Sequence, residues 1–407
     1  MRLALSKESP LPLSTSCGLF FAINIFRTDV SGLKIRRLSM RTVVLTDAKY
    51  RSSIAAARAL GRAGWQVVAV QAGEGDFPDP PVFSSRFVSR GLRIAAAPDG
   101  PDYTGRLLGL LEEYDHPVLF CAGAATLNTV SRQRELFSQC CDFLISPPEV
   151  LDQLNDKEKV HRRCEELGIP VPRQYEGEPE AYPVVIKPHC GEKFGLKARD
   201  RYAVAKNPPE YQAYLKIMSQ YDPHPIVQEQ VKGDGAGVSL LLDKAGRLVC
   251  ALCHRRIREF PAAGGPSTCC ESFYDEAMIR QAYRLLSSFG FIGMAMVEFK
   301  GSCVLEVNPR IWGSFPLTDC AGSPFACRYA QAAAGEILEY EPCDYKTGVR
   351  MRFLLNDGAA MLDYLRRGRL GKFFQGAADI FRAKEALSSR EDPAPMSNYL
   401  RSTLFRR

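Results

Sequence analysis

The sequence predicts a mixed α/β and α+β chain, with a small parallel α/β unit first, a larger unit built on strand hairpins second, and a helical tail last. Three observations carry this. Residues 42–46 (TVVLT), the Ala-rich run 52–63 and residues 65–70 (WQVVAV) read as strand, helix, strand, a βαβ unit whose strands pair in parallel. Residues 293–299 and 302–307 are short apolar runs around Lys300-Gly301, the pattern of a hairpin with a tight turn. A chain of 407 residues also exceeds one ordinary core, so two or three packed units are expected.

Residues 1–39 stand outside this pattern. The apolar run 17–26 is too short to span a bilayer, and no small-residue cleavage site follows it. The first core strand begins directly after Met40, so Met40 is expected to be the translation start and 1–39 a disordered or untranslated extension. The connector 46–51 lacks Gly-x-Gly-x-x-Gly and so predicts no dinucleotide site. Strands at 117–121 and 142–145 are expected to complete a small doubly wound sheet, with 123–128 just beyond a strand end and facing a cleft.

The hairpin carries the chemistry. Side chains alternate along a strand, so Glu306 and Asn308 share one face, and pairing can bring Glu298 to it. Three oxygen donors then converge in the manner Mg²⁺ prefers, with one or two carboxylates and room left for water and phosphate. Arg310 extends that face as a planar cation able to grip phosphate oxygens. Upstream, 183–188 (PVVIKP) is a β-rich run ending at Lys187. Lys157 and Lys159 open a helical stretch closed by Gly168 and Pro170, and the resemblance described below implies a phosphate-contacting lysine here, Lys157 first and Lys159 as the alternative register. Residues 226–231 (IVQEQV) form another strong strand before the Gly-rich run 232–239. Residues 253–268 concentrate cations ahead of Gly264-Gly265; one alternate strand face can offer Arg256 and Arg258 to anionic oxygens, and the Gly-Gly turn can offer backbone N–H groups. A solvated basic edge strand is the other reading of that run.

The stretch VEFKGSCVLEVNPRIWGS resembles the metal-binding end of the ATP-grasp superfamily, which carries an acidic residue and then Glu-x-Asn-Pro-Arg on neighbouring strands. The resemblance implies that Glu298, Glu306 and Asn308 hold Mg²⁺ or Mn²⁺, that Lys157 and Lys187 contact ATP phosphates, and that Lys187 and Arg310 take part in catalysis. Residues 188–195 fall where the family places a loop over the phosphates. Gln228, Glu229, Gln230 and Val231 fall at the hinge that reads adenine, and Asp234 serves either the ribose or a turn. The run 255–267 resembles the Arg-x-x-Arg-Glu-x-Pro-x-x-Gly-Gly-Pro-Ser signature of a carboxylate–amine ligase and carbamoyl-phosphate-synthase-like branch. It makes Arg256, Arg258, Gly264 and Gly265 the substrate candidates. The implied organisation is a pre-ATP-grasp α/β domain over 40–147, a two-subdomain ATP-grasp fold over 148–345 with its hinge near 226–239, and a helical tail over 346–407.

What the resemblance implies chemically is an ADP-forming ligase that turns a small carboxylate into an acylphosphate and joins it to an amine, with no protein nucleophile. Bicarbonate-using carboxylation and non-catalytic ATP binding are the alternatives. The net charge of +7 is modest and dispersed except in the Arg255 strand and at the C terminus, so nucleic acid is not an expected partner. No run reads as a transmembrane helix, so no membrane partner is expected, and the resemblance implies that a homodimer is open. Fourteen scattered cysteines read as small buried thiols, which favours a reducing, cytoplasmic setting. The lone Cys250-x-x-Cys253 does not make a zinc site. The tail, with Arg350, Arg352 and a helical stretch at 359–369, is expected to pack on the core and is assigned no chemistry.

Overall fold

The computed structural model describes residues 41–404 apart from 76, 190–195, 197–200 and 262–264. The expectations placed on 1–40, on the glycines of the 188–195 loop and on Gly264 lie outside the described residues.

The first unit contains β1 (Thr42–Leu45), α1 (Arg51–Arg62), β2 (Gln66–Ala72), β3 (Val88–Ile94), α2 (Tyr103–Leu111), β4 (Val118–Phe120), α3 (Ala124–Arg132) and α4 (Arg134–Phe137). Its sheet is fully parallel in the order β3-β2-β1-β4, with Val43 opposite both Val67 and Val118. Burial on both faces explains why β1 is an unbroken apolar run. The strand expected at 142–145 is reduced to two isolated bridges, Val118 to Asp142 and Ile145 to Gly293. Residues 142–146 instead tie this sheet to the large one: Ser146 Oγ accepts from the Ile292 N–H at 2.8 Å. In this unit sequence reading missed β3, an edge strand whose residues are mostly solvent-facing and therefore carry no apolar period.

The second unit begins with α5 (Pro148–Asn155) and α6 (Lys157–Glu166). A three-stranded antiparallel sheet follows, made of β5 (Val184–Lys187), β6 (Ala203–Ala205) and β7 (Ile226–Glu229), with α7 (Pro208–Met218) against it. Next come β8 (Gly235–Leu242), β9 (Leu248–Glu259), β10 (Ser267–Phe273), α8 (Glu276–Ser288), β11 (Gly293–Lys300), β12 (Cys303–Asn308), α9 (Pro316–Ala321) and α10 (Phe325–Ala333). Together with β13 (Arg350–Arg352) and β14 (Lys384–Glu385) these strands form a seven-stranded sheet in the order β12-β11-β8-β9-β10-β13-β14. One face, with Val238, Leu240 and Val297, packs on Ile279, Ala282 and Leu285 of α8. The other packs Met294, Met296 and Leu252 against Trp312 and Phe315 and runs on to Val43 and Leu45.

The tail adds α11 (Leu354–Arg366), α12 (Leu370–Arg382) and α13 (Ala394–Leu404). It returns to the first unit. Arg58 of α1, only 1 % exposed, donates from Nε to Asp392 Oδ2 at 2.8 Å, and the same carboxylate oxygen accepts from Ser85 Oγ at 2.8 Å.

Candidate active site

The β11–β12 hairpin forms as its sequence predicts and places Glu298 directly opposite Glu306 and Met296 opposite Asn308. Asn308 Nδ2 donates to Glu298 Oε1 at 3.2 Å. A bulge follows Glu298 on this ladder, and the carbonyl of Leu305 accepts from Lys187 Nζ at 3.5 Å. Asp156 caps α6 by accepting from the Glu158 and Lys159 N–H groups. That cap sets the first turn so that Lys157 reaches Glu306, Nζ to Oε2 at 3.1 Å, while Lys159 turns outward to Asp156 at 4.0 Å.

Charge in this cluster is balanced unequally. Burial pushes the Glu306 carboxyl up, but Lys157 and Lys187 outweigh it and bring it down to about 2. Glu298 goes the other way: burial and the facing Glu306 raise it although Arg256 sits on it. Burial together with nearby Lys157 brings the Lys187 amine down to about 8, against the pull of both carboxylates. Arg310 lies within electrostatic reach of Glu298. In donor type, two carboxylates and a carboxamide on one face suit a hard divalent cation. Neighbouring cations keep the Glu306 carboxylate ionised, as a ligand must be.

Residues 154–314 match the family model of the ATP-grasp domain. The chain carries an ATP-grasp domain. No curated protein matches it in sequence. Among solved structures, biotin carboxylase from Campylobacter jejuni in its β,γ-ATP complex superposes with TM-score 0.58 at 14 % identity, over 76 % of this chain and 74 % of that one. The biotin carboxylase domain of Hydrogenobacter thermophilus 2-oxoglutarate carboxylase, in complex with MgADP, ADP and bicarbonate, gives 0.57 at 15 %, over 77 % and 73 %. Rhizobium etli pyruvate carboxylase gives 0.55 at 16 %, over 76 % of this chain and 30 % of its own. What is shared at such identities is the fold.

Within this ATP-grasp domain, β7 is an edge strand of the three-stranded sheet, and the residues after it lead into β8 of the seven-stranded sheet. Gln228 is buried, and with Lys157, Lys187 and Leu305 it lines a cavity of about 10 Å³, the room of about one water. Glu229 is exposed and ties down the Arg173 N–H at 3.0 Å, and the Gln230 N–H donates to the carbonyl of Pro183 at 3.2 Å. Val231 is half-buried. Asp234 is exposed, and its carbonyl accepts from the Gly301 N–H at 3.1 Å, where the β11–β12 turn meets the loop into β8.

Arg256 and Arg258 do not share a face, contrary to the expectation from alternation. Cys270 pairs with Arg256 and Cys269 with Arg258, so β9 holds one extra residue there, a β-bulge that reverses the side-chain order. Arg256 therefore joins Glu298. Arg258 turns away, wholly buried, and grips Asp357 with two bonds of 2.8 Å and Asp379 at 2.5 Å. That chain of charges continues through Arg350 to Glu271 and Arg255. Arg258 thus clamps the tail to the sheet and is removed from the substrate candidates. Gly265 lies on the backbone of Phe260, where a Cβ would overlap the carbonyl.

Sequence reading passed over His254. It stands two residues before Arg256 on the same face, opposite Gly237, and a Cβ on Gly237 would overlap its ring. His254 Nε2 meets Ser314 Oγ at 3.1 Å, Nδ1 has no partner among the described residues, and burial beside Arg256 brings the imidazole down to about 3, hence neutral. His189, at the root of the 188–195 loop, bridges Asp222 (Nδ1, 3.0 Å) and Glu158 (Nε2, 2.9 Å), next to Lys157. The spacing of both histidines was visible, but their partners come from distant segments.

Proposed function

We propose that the protein is an ATP- and Mg²⁺-dependent, ADP-forming ligase that activates a small carboxylate as an acylphosphate and joins it to an amine. The observation that carries this is the Glu298–Glu306 rung with Lys157, Lys187 and Arg256 around it. Glu298, Glu306 and Asn308 would hold the metal, which supplies neutralisation of phosphate charge when bound. Lys157 and Lys187 would orient the β- and γ-phosphates, and Arg310 would hold the γ-phosphoryl oxygens as charge shifts toward ADP. Gln228 to Val231 would take the adenine edge, with Asp234 near the ribose. Arg256, close to the carboxylate rung, would present the acid to the γ-phosphorus, and Gly264 and Gly265 stay as the further substrate candidates. The amine then attacks the acyl carbon and phosphate leaves, so the protein positions and stabilises and forms no bond itself.

The test is Mg²⁺-dependent ADP release from purified protein against a panel of carboxylic acids, with and without amino acids and amino sugars, and with Glu306→Gln as the blank. ADP release that requires both an acid and an amine supports the ligase. The solved bicarbonate complex of a protein with this fold supports the carboxylase reading as the second one. ADP release that requires bicarbonate and no amine would decide for it.

A further inference from the structure

The two lysines assigned to phosphate come from different elements: Lys157 opens α6 and Lys187 closes β5. Their ammonium groups act on one ligand only if that helix end and that strand end keep a fixed register. His189 stands two residues after Lys187, and every polar group it has is spent on that register. Its carbonyl accepts from the Lys157 N–H at 3.3 Å, and its ring Nε2 meets Glu158 Oε2 at 2.9 Å. Its own N–H and its ring Nδ1 both go to Asp222 Oδ2, at 2.8 and 3.0 Å. These contacts join the first turn of α6, the end of β5 and the turn between α7 and β7.

The bridge has a buried base. Asp222 is 7 % exposed, and its Oδ1 accepts from the His224 N–H at 3.1 Å. Burial opposes the Asp222 charge, but the bonds from His189 and His224 outweigh it and hold the carboxyl below its usual range. A carboxylate only accepts, so the ring donates from both nitrogens, and both bonds are charge-assisted. On the helix side, Asp156 takes the Glu158 and Lys159 N–H groups, and the His189 carbonyl takes the Lys157 N–H that the cap leaves over.

The Asp222 side of the bridge is enough to fix the strand end. What the Glu158 side adds is the position of the first turn of α6, and the side chain this turn sends to the carboxylate rung is Lys157, Nζ to Glu306 Oε2 at 3.1 Å. We propose that His189 is a positioning residue that sets Lys157 against Lys187 and thereby sets how tightly the site grips nucleotide phosphate. The second half of this rests on the reading of Lys157 as a phosphate contact; the first half does not.

Two substitutions divide the ring. In His189→Gln the side-chain amide reaches the place of Nε2 and keeps the tie to Glu158. In His189→Asn it reaches only the place of Nδ1 and keeps the tie to Asp222. Glu158→Ala, at an exposed position, cuts the helix tie without touching His189 and carries the test should His189→Asn fold poorly. The first readout is Lys157 itself, labelled with a limiting amine-reactive reagent and followed by peptide mass spectrometry in the full chain. His189→Asn and Glu158→Ala raise Lys157 labelling several-fold as the ammonium leaves Glu306, while His189→Gln stays near wild type. The second is calorimetric titration with Mg²⁺ and ADP. Affinity falls by about tenfold in the same two variants, and in a Lys157→Met background His189→Asn adds no further loss. Lys157 labelling that neither His189→Asn nor Glu158→Ala changes overturns the positioning role, as does a rise in His189→Gln equal to that in His189→Asn. A further full loss of ADP affinity on top of Lys157→Met shows that His189 acts by another route and overturns it too. Unchanged ADP affinity in Lys157→Met alone overturns the phosphate reading of Lys157, and the labelling still decides whether His189 places it.

Discussion

Glu298 and Glu306 face each other across one rung of the β11–β12 hairpin, and their acidities diverge: burial and its neighbour raise Glu298, while Lys157 and Lys187 overcome burial to hold Glu306 down at about 2. Two carboxylates so close repel, and the two lysines on Glu306 set its acidity apart from that of Glu298. Glu306 is ionised throughout the physiological range.

Glu306→Gln keeps the shape and removes that charge. ADP formation should fall by about 10² to 10³, the usual loss for one well-placed electrostatic contact. Coupled-assay turnover measures it, and an unchanged far-ultraviolet dichroism spectrum separates lost chemistry from lost fold. Normal turnover in this variant would remove Glu306 from the metal assignment.

Lys187 predicts a pH dependence. Its amine is charged below about 8 and neutral above. Phosphate binding needs the charged form, so affinity for ATP should weaken as pH rises through about 8, by up to about tenfold per pH unit. Isothermal titration between pH 7 and 9.5 reads the slope. Lys187→Arg stays charged over that range and should flatten it; an equally steep profile in the variant would assign the slope to another group.

Arg256 and Arg258 should behave oppositely. Arg258→Ala strands Asp357 and Asp379 in the interior and should destabilise by about 3–5 kcal/mol, seen as a lowered denaturation midpoint. Arg256→Ala takes the cation from a partly exposed pair and should lower the midpoint by clearly less than Arg258→Ala while depressing ADP formation. Equal stability losses in both variants would contradict the separation that the β9 bulge imposes.

Asp392 anchors the tail to α1. Asp392→Ala leaves the Arg58 charge buried with backbone carbonyls and no carboxylate, and should likewise cost about 3–5 kcal/mol. Pairing it with Arg58→Met in a double-mutant cycle should recover part of that loss, because an apolar side chain needs no counter-ion. Additive losses would show that the two residues act independently.

The sequence by itself determined the parallel βαβ start, the hairpin that pairs Glu298 with Glu306 and the order of cationic residues before it. Each is local: a buried strand is a run of apolar residues, a hairpin is two such runs about a turn, and alternation fixes which side chains share a face. The same rule failed at Arg258, since one bulge residue inverts alternation and leaves no mark in composition. Only the tertiary structure decided the rest. It chose Lys157 over Lys159 through a cap. It gave Arg58 and Arg258 their partners more than 300 and about 100 residues away, and turned the apolar side of α12 outward because its polar side had an arginine to meet. Long-range ion pairs obey distance in space, and distance along the chain carries no signal of them.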